Sequence, residues 1–177
     1  MWNADRYVKT LDFAVRVHGD QKIPGSTAPY VVHLVKVAAE VQHAWAGSRD
    51  FDADLAVTCA LLHDAIEDAG VTVEQVEAEF GKAVAAGVFA LTKNAGLPKP
   101  EQMGDSLRRL QAQPKDVQLV KLADRITNLE EPPHYWTKEK RLAYRDEAKV
   151  ILDALGSAHT GLAQRLEARR AAYLAFC

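Results

Sequence analysis

The sequence predicts an all-α fold, a helical bundle in one domain over residues 1–177. Three observations carry this expectation. Apolar residues recur at helical spacing through most of the chain, alternating β-branched runs are scarce, and aromatics make up only 7% of the residues, fewer than a strand-rich core would use.

Each element follows from its own signals. Tyr7, Leu11, Ala14, Val15 and Val17 give residues 4–18 one apolar face. Segment 19–29, GDQKIPGSTAP, is rich in Gly and Pro and reads as a loop. A second helix is expected over 30–46, with Val31, Leu34, Val35, Ala38 and Val41 inward and His33 in its first turn. Leu55 to Asp68 holds no Gly or Pro, which predicts one continuous helix over 53–68, ended by Gly70. Thr72 and Gln75 have capping-box spacing and open a short helix to Phe80. An apolar helix over 82–93 comes next, then a polar stretch from Asn94 to Pro100 and a helix over 101–112 that Gly104 interrupts. Pro114 suits the first turn of a helix running through Val117, Leu119, Val120, Leu122, Ala123 and Ile126. Glu130-Glu131-Pro132-Pro133 breaks it, and helices over 137–155 and 157–175 close the bundle, with Gly156 at their joint.

Composition narrows the function. The net charge of −2 supplies no global basic field, so a nucleic-acid polymer is not expected as partner and any phosphate must be held by local cations. The first residues, MWNADRYVKT, lack the apolar core of a secretory signal, and no apolar run is long enough to span a bilayer. A cytoplasmic protein without membrane partners is the expectation. Two cysteines cannot form a disulfide framework. Cys59 reads as a small core residue and Cys177 as an exposed end.

Four short strings carry chemistry: His33, the pair His63-Asp64, the pair Glu67-Asp68 one turn later, and Asp124 within KLADRITNL. Two imidazoles and two carboxylates make a mixed nitrogen/oxygen set suited to a divalent first-row metal. On a continuous helix His63 stacks with Glu67 and Asp64 with Asp68. So many acids at a helix end oppose the helix dipole and call for a cation. Beside a metal that acidifies water, Glu67 and Asp68 are placed to move protons. Lys121 and Asn128, three before and four after Asp124, are candidates to meet phosphate or a substrate hydroxyl. A bland reading competes for each residue: a satisfied polar histidine, an acidic helix end, a Lys121–Asp124 surface pair. His18, His43, His134 and His159 lack acids at ligand spacing and read as structural or surface, and Trp2, Trp45 and Trp136 as packing residues.

The strings HGDQ (18–21), PYVVH (29–33), ALLHDAIED (60–68), FGKAV (80–84), LTK (91–93) and KLADRITNL (121–129) together resemble the HD-domain hydrolases of the RelA/SpoT type. Within them the chain is most similar to the stand-alone small alarmone hydrolases, the group of the metazoan SpoT homologue. The resemblance implies an HD-domain helical bundle and a Mn²⁺-dependent pyrophosphohydrolase that removes the 3′-pyrophosphate of ppGpp or pppGpp. It implies His33, His63, Asp64 and Asp124 as metal ligands, Glu67 and Asp68 as the catalytic pair, and Asn128 as a nucleotide contact. More weakly, it implies Lys140 and Tyr144 as a substrate-binding pair. The chain has no room for a synthetase domain, so alarmone synthesis is not expected.

Two departures touch recognition and spare the metal chemistry. Where the family commonly carries Arg-Lys after HxxQ, this chain has Ile23 and Pro24. Where it often continues with Arg-Thr, Leu129 is followed by Glu130-Glu131. Adenosine alarmones, ppApp and pppApp, therefore stand beside ppGpp as candidate substrates. An HD phosphohydrolase for other nucleotides, such as nucleoside monophosphates, and a nucleotide-binding regulatory module with a structural metal are the rival readings.

Overall fold

Helix α1 (Ala4–His18) opens on Asn3, whose side chain accepts from the Arg6 N–H, and a computed structural model describing residues 2–177 traces the chain from there. No strand occurs among the described residues, only one isolated bridge, Lys22 with Pro29, which pins the loop after α1. Helix α2 (Val31–Ser48) follows that loop and ends at Arg49, a left-handed cap. Helix α3 (Ala53–Leu62), capped by Asp52, is apolar on nearly every side, and so it lies in the middle of the bundle. It packs on α1, α2, α6 (Lys82–Leu91) and α8 (Lys115–Asn128).

The expected unbroken helix over 53–68 is corrected. Helix α3 stops at Leu62, His63-Asp64 form a turn, and α4 (Ala65–Ala69) restarts the chain. Asp64 has φ −104° and ψ 2°, the bridge region between helix and strand. The break swings Asp64 toward Tyr30, whose hydroxyl donates to its Oδ2 at 2.5 Å. The i→i+4 bond from Asp68 N–H to the Asp64 carbonyl survives at 2.8 Å, so the acidic pair keeps its offset.

The remaining elements follow their signals closely. Thr72 and Gln75 form the capping box of α5 (Val73–Phe80). Helix α7 (Lys99–Gln111) starts two residues early and runs through Gly104, stitched to α6 by Arg109, which donates to the carbonyls of Phe89 and Thr92. Pro114 stands at the cap of α8 rather than inside its first turn. Helix α9 (Lys138–Leu155) is capped by Thr137. The expected last helix is shorter, α10 (Thr160–Ala172), flanked by 3-10 turns, with His159 capping it by accepting from the Leu162 N–H. Buried apolar residues from α1 through α10 form one cluster, with Cys59 inside it. No described helix is long and apolar enough to cross a membrane.

Candidate metal centre

Helices α2, α3 and α8 meet where their polar residues are buried. His33, His63 and Asp124 are 6%, 3% and 5% exposed, so water does little to stabilise their charge. His63 comes at the end of α3, and its Nδ1–H donates to the Ala60 carbonyl at 2.8 Å. A carbonyl only accepts, so the proton sits on Nδ1 and Nε2 presents a lone pair. His33 reaches the same tautomer through Thr127. The Thr127 hydroxyl donates to the Asp124 carbonyl at 2.9 Å, which leaves its oxygen to accept from His33 Nδ1 at 3.4 Å. The two Nε2 atoms then face each other at 3.2 Å. Two lone pairs at that distance repel unless a cation, proton or metal, lies between them.

The carboxylates close the group. Asp64 Oδ2 lies 2.9 Å from His63 Nε2 and 3.9 Å from His33 Nε2. Donor atoms of His33, His63 and Asp64 all fall within 4.8 Å of one another, a span one ion can bridge. Asp124 Oδ1 stands 3.4 Å and 3.6 Å from the two Nε2 atoms. Asn128 Nδ2 donates to that same Oδ1 at 2.5 Å, and Lys121 Nζ donates to Oδ2 at 2.9 Å.

Lys121 is thus buried and committed to Asp124, in an ion pair that lies inside the protein and not at its surface. Burial works to raise the Asp124 carboxyl, but Lys121 and the two imidazoles hold it well below the usual carboxylate range. Burial also favours neutral His63, yet Asp64 and Asp124 overcome that and lift its pKa well above the ordinary imidazole value. Asp64, raised by burial, is drawn below the carboxylate range by His63 and by the Tyr30 hydroxyl. Two carboxylates beside two imidazoles supply negative charge, and this imidazole–carboxylate donor set fits a divalent cation.

Glu67 and Asp68 leave the centre in different directions. Glu67 accepts from the Lys93 backbone N–H at 2.9 Å and from Lys93 Nζ at 3.0 Å. Asp68 accepts from Gln21 Nε2 at 3.3 Å, and Gln21 Oε1 is held by His18 Nδ1 at 2.7 Å. Partial burial, then the charges of Asp64 and Glu67, push the Asp68 carboxyl above its ordinary value. His18 is buried and stacks on Tyr30, ring centroids 5.2 Å apart, so its structural role extends to the acidic pair.

A cavity of about 590 Å³ opens from His33 and Asn128. Its walls come from the loop after α1 (Ile23, Pro24) and the loop after α8 (Glu130, Glu131, Pro133), with Trp136 and Tyr144 among the lining residues. Ile23 and Pro24 therefore lie on the same cavity as Glu130 and Glu131, the two places where the sequence departs in recognition residues, together with His33 and Asn128. Tyr144 carries Arg125 on its ring face, the guanidinium carbon 4.0 Å from the centroid, and burial raises its hydroxyl to about 12. Lys140 does not line the cavity but stands over the Trp136 ring at 4.2 Å.

Sequence reasoning missed Tyr30, Thr127, Gln21 and Lys93. Tyr30 and Gln21 lie inside the PYVVH and HGDQ strings, and Thr127 lies three residues past Asp124, so their positions were a signal. Their partners depend on how separate helices dock.

Comparison with known proteins gives a consistent picture. A family model described as "HD domain" matches residues 10–161. The chain is 30% identical to the guanosine-3′,5′-bis(diphosphate) 3′-pyrophosphohydrolase MESH1 of Danio rerio, over 90% of this chain and 89% of that one. It is 31% identical to the Homo sapiens protein of the same name, over 93% and 92%. Among solved structures it is similar to one described as a metazoan ortholog of SpoT that hydrolyzes ppGpp. The TM-score there is 0.82, at 26% identity over 96% of both chains.

Proposed function

This chain belongs to the HD-domain family, and from that premise we propose that it is a metal-dependent hydrolase removing the 3′-pyrophosphate of nucleotide alarmones, (p)ppGpp or (p)ppApp. The observation that carries the reading is the pair of Nε2 atoms 3.2 Å apart, ringed by Asp64 and Asp124. His33, His63, Asp64 and Asp124 would hold the cation, for which we propose Mn²⁺. When bound, the metal supplies Lewis-acid stabilisation of charge developing on the phosphoryl oxygens.

The chain's own residues do the rest. Asn128 and Lys121 fix the Asp124 carboxylate, and Tyr30 fixes Asp64, so neither acid needs to reorganise as charge develops. Asp68, its carboxyl pushed above the ordinary value by partial burial and by Asp64 and Glu67, takes a proton from the attacking water and can return one to the ribose 3′ oxygen as the P–O bond breaks. Glu67, held by Lys93, orients that water. Apolar Ile23 and Pro24, with Trp136 and Tyr144 in the same cavity lining, offer the nucleoside a surface to pack on.

The test is turnover with Mn²⁺ of ppGpp, ppApp and AMP, followed by product identification. Pyrophosphate release from a 3′-diphosphate supports the proposal. Phosphate release from AMP alone supports the phosphohydrolase for other nucleotides, and metal retention with no turnover of any of them supports the regulatory module. Glu67→Gln, with its metal retained, is expected to lose about 10²–10⁴-fold in kcat. Unchanged turnover removes that residue from the mechanism.

A further inference from the structure

The cavity has one permanent cation among its lining residues, Lys36, against two acids, Glu130 and Glu131. A nucleotide bearing phosphates at both ends of its ribose is a poor match for such a wall unless that cation has a defined task. Lys36 lies on α2 three residues after His33, roughly one helical turn or ~4.5 Å further along the axis. Its Nζ donates to Glu130 Oε2 at 2.6 Å. Glu130 in turn lies two residues past Asn128, the last residue of α8, so the pair ties α2 to the segment leaving α8, two of the three helices that carry the candidate centre. Both side chains keep close to half of their surface in water, 44% and 43%. Ion pairs exposed to that degree are weak and exchange readily for a stronger anion.

We propose that Lys36 is the specificity-determining seat for the substrate's 5′ phosphate, and that Glu130 occupies this seat until the phosphate displaces it. The inference rests on the reading that the 3′-diphosphate sits at the candidate centre. With the 3′ group there, the ribose enters the cavity and Lys36 is the lining cation beside its path. A phosphate monoester brings close to two charges and three acceptor oxygens, so it competes better for an ammonium than a carboxylate does. Displaced Glu130 then stays nearby with Glu131, and their negative charge weighs against every further 5′ phosphate. The centre thus sets which bond breaks, and the Lys36–Glu130 pair reads how the other end of the ribose is charged.

The experiment compares three nucleoside 3′-diphosphates that differ only at the 5′ carbon: hydroxyl, monophosphate and diphosphate. KM is measured for wild type, Lys36→Met and Glu130→Gln, with thermal melts to establish that each variant is folded. Lys36→Met is expected to raise KM for the 5′-phosphorylated substrates roughly tenfold or more, the loss of one charge-assisted hydrogen bond, and to bring the hydroxyl-to-monophosphate KM ratio toward one. Glu130→Gln is expected to shift KM for the same substrates the opposite way. A Lys36→Met variant whose KM changes equally for all three, or for none, overturns the assignment. If wild type cleaves none of the three, the underlying hydrolase reading falls, an outcome distinct from the variant result.

Discussion

Two hydrogen bonds decide where the imidazole protons sit, one from His63 to the Ala60 carbonyl and one from His33 to Thr127. Removing the second leaves His33 free to take the other tautomer and to rotate. Thr127→Val keeps the side-chain volume and deletes that acceptor. It is expected to weaken divalent-metal affinity by about 10–100-fold, measured by titration calorimetry on the metal-free protein. Equal affinity in the variant would mean that His33 is oriented by something else. At this scale the residue types of the candidate site were legible in the sequence, because histidines and acids in fixed strings advertise themselves. Their supports were not. A threonine or a tyrosine has many uses, and what Thr127 and Tyr30 do is decided by helices far away in the chain.

The elements were legible from apolar spacing and caps, as the Thr72–Gln75 box demonstrates. The break at His63-Asp64 was not, because nothing in ALLHDAIED disfavours helix. The turn is held by the tertiary bond from the Tyr30 hydroxyl to Asp64, which outweighs local preference. A related conflict sits in α6, where Gly87 faces α3 and α8. A Cβ at that position would lie 2.8 Å from Cys59 Sγ and 3.0 Å from Val117 Cγ2. Alanine is the better helix former by about 1 kcal/mol, but overpacking a buried contact costs about 1–3 kcal/mol. Gly87→Ala is therefore expected to be neutral to destabilising by up to ~2 kcal/mol in urea unfolding. A stabilised variant would mean that α3 and α6 can move apart freely.

Across the whole molecule, one apolar cluster fixes helices whose polar ends would otherwise repel, and stability must then follow the titration of the centre. In metal-free protein the raised His63 pKa contributes stability below the ordinary imidazole value of 6.5, and this is lost as pH rises through the folded value. The lowered Asp64 and Asp124 contribute above the ordinary carboxylate value of 3.8, and theirs is lost as pH falls through the folded values. Tm of chelated protein should therefore peak at weakly acidic pH. The gain in Tm on adding Mn²⁺ should grow from about pH 6 to about pH 8, since the cation competes with the proton for the same nitrogens. A gain independent of pH would contradict that competition. The cavity was the least legible feature, because its two loops lie more than a hundred residues apart and only the docked bundle brings them together.

The most direct measurement is the Mn²⁺ stoichiometry of the chelated, refilled protein, for wild type and for His63→Ala and Asp124→Ala, each verified as folded by its melt. The expected result is one tightly held ion per chain in wild type and none in either variant. Wild-type protein that holds no ion, or variants that hold it as tightly as wild type, would contradict a shared cation at His33, His63, Asp64 and Asp124.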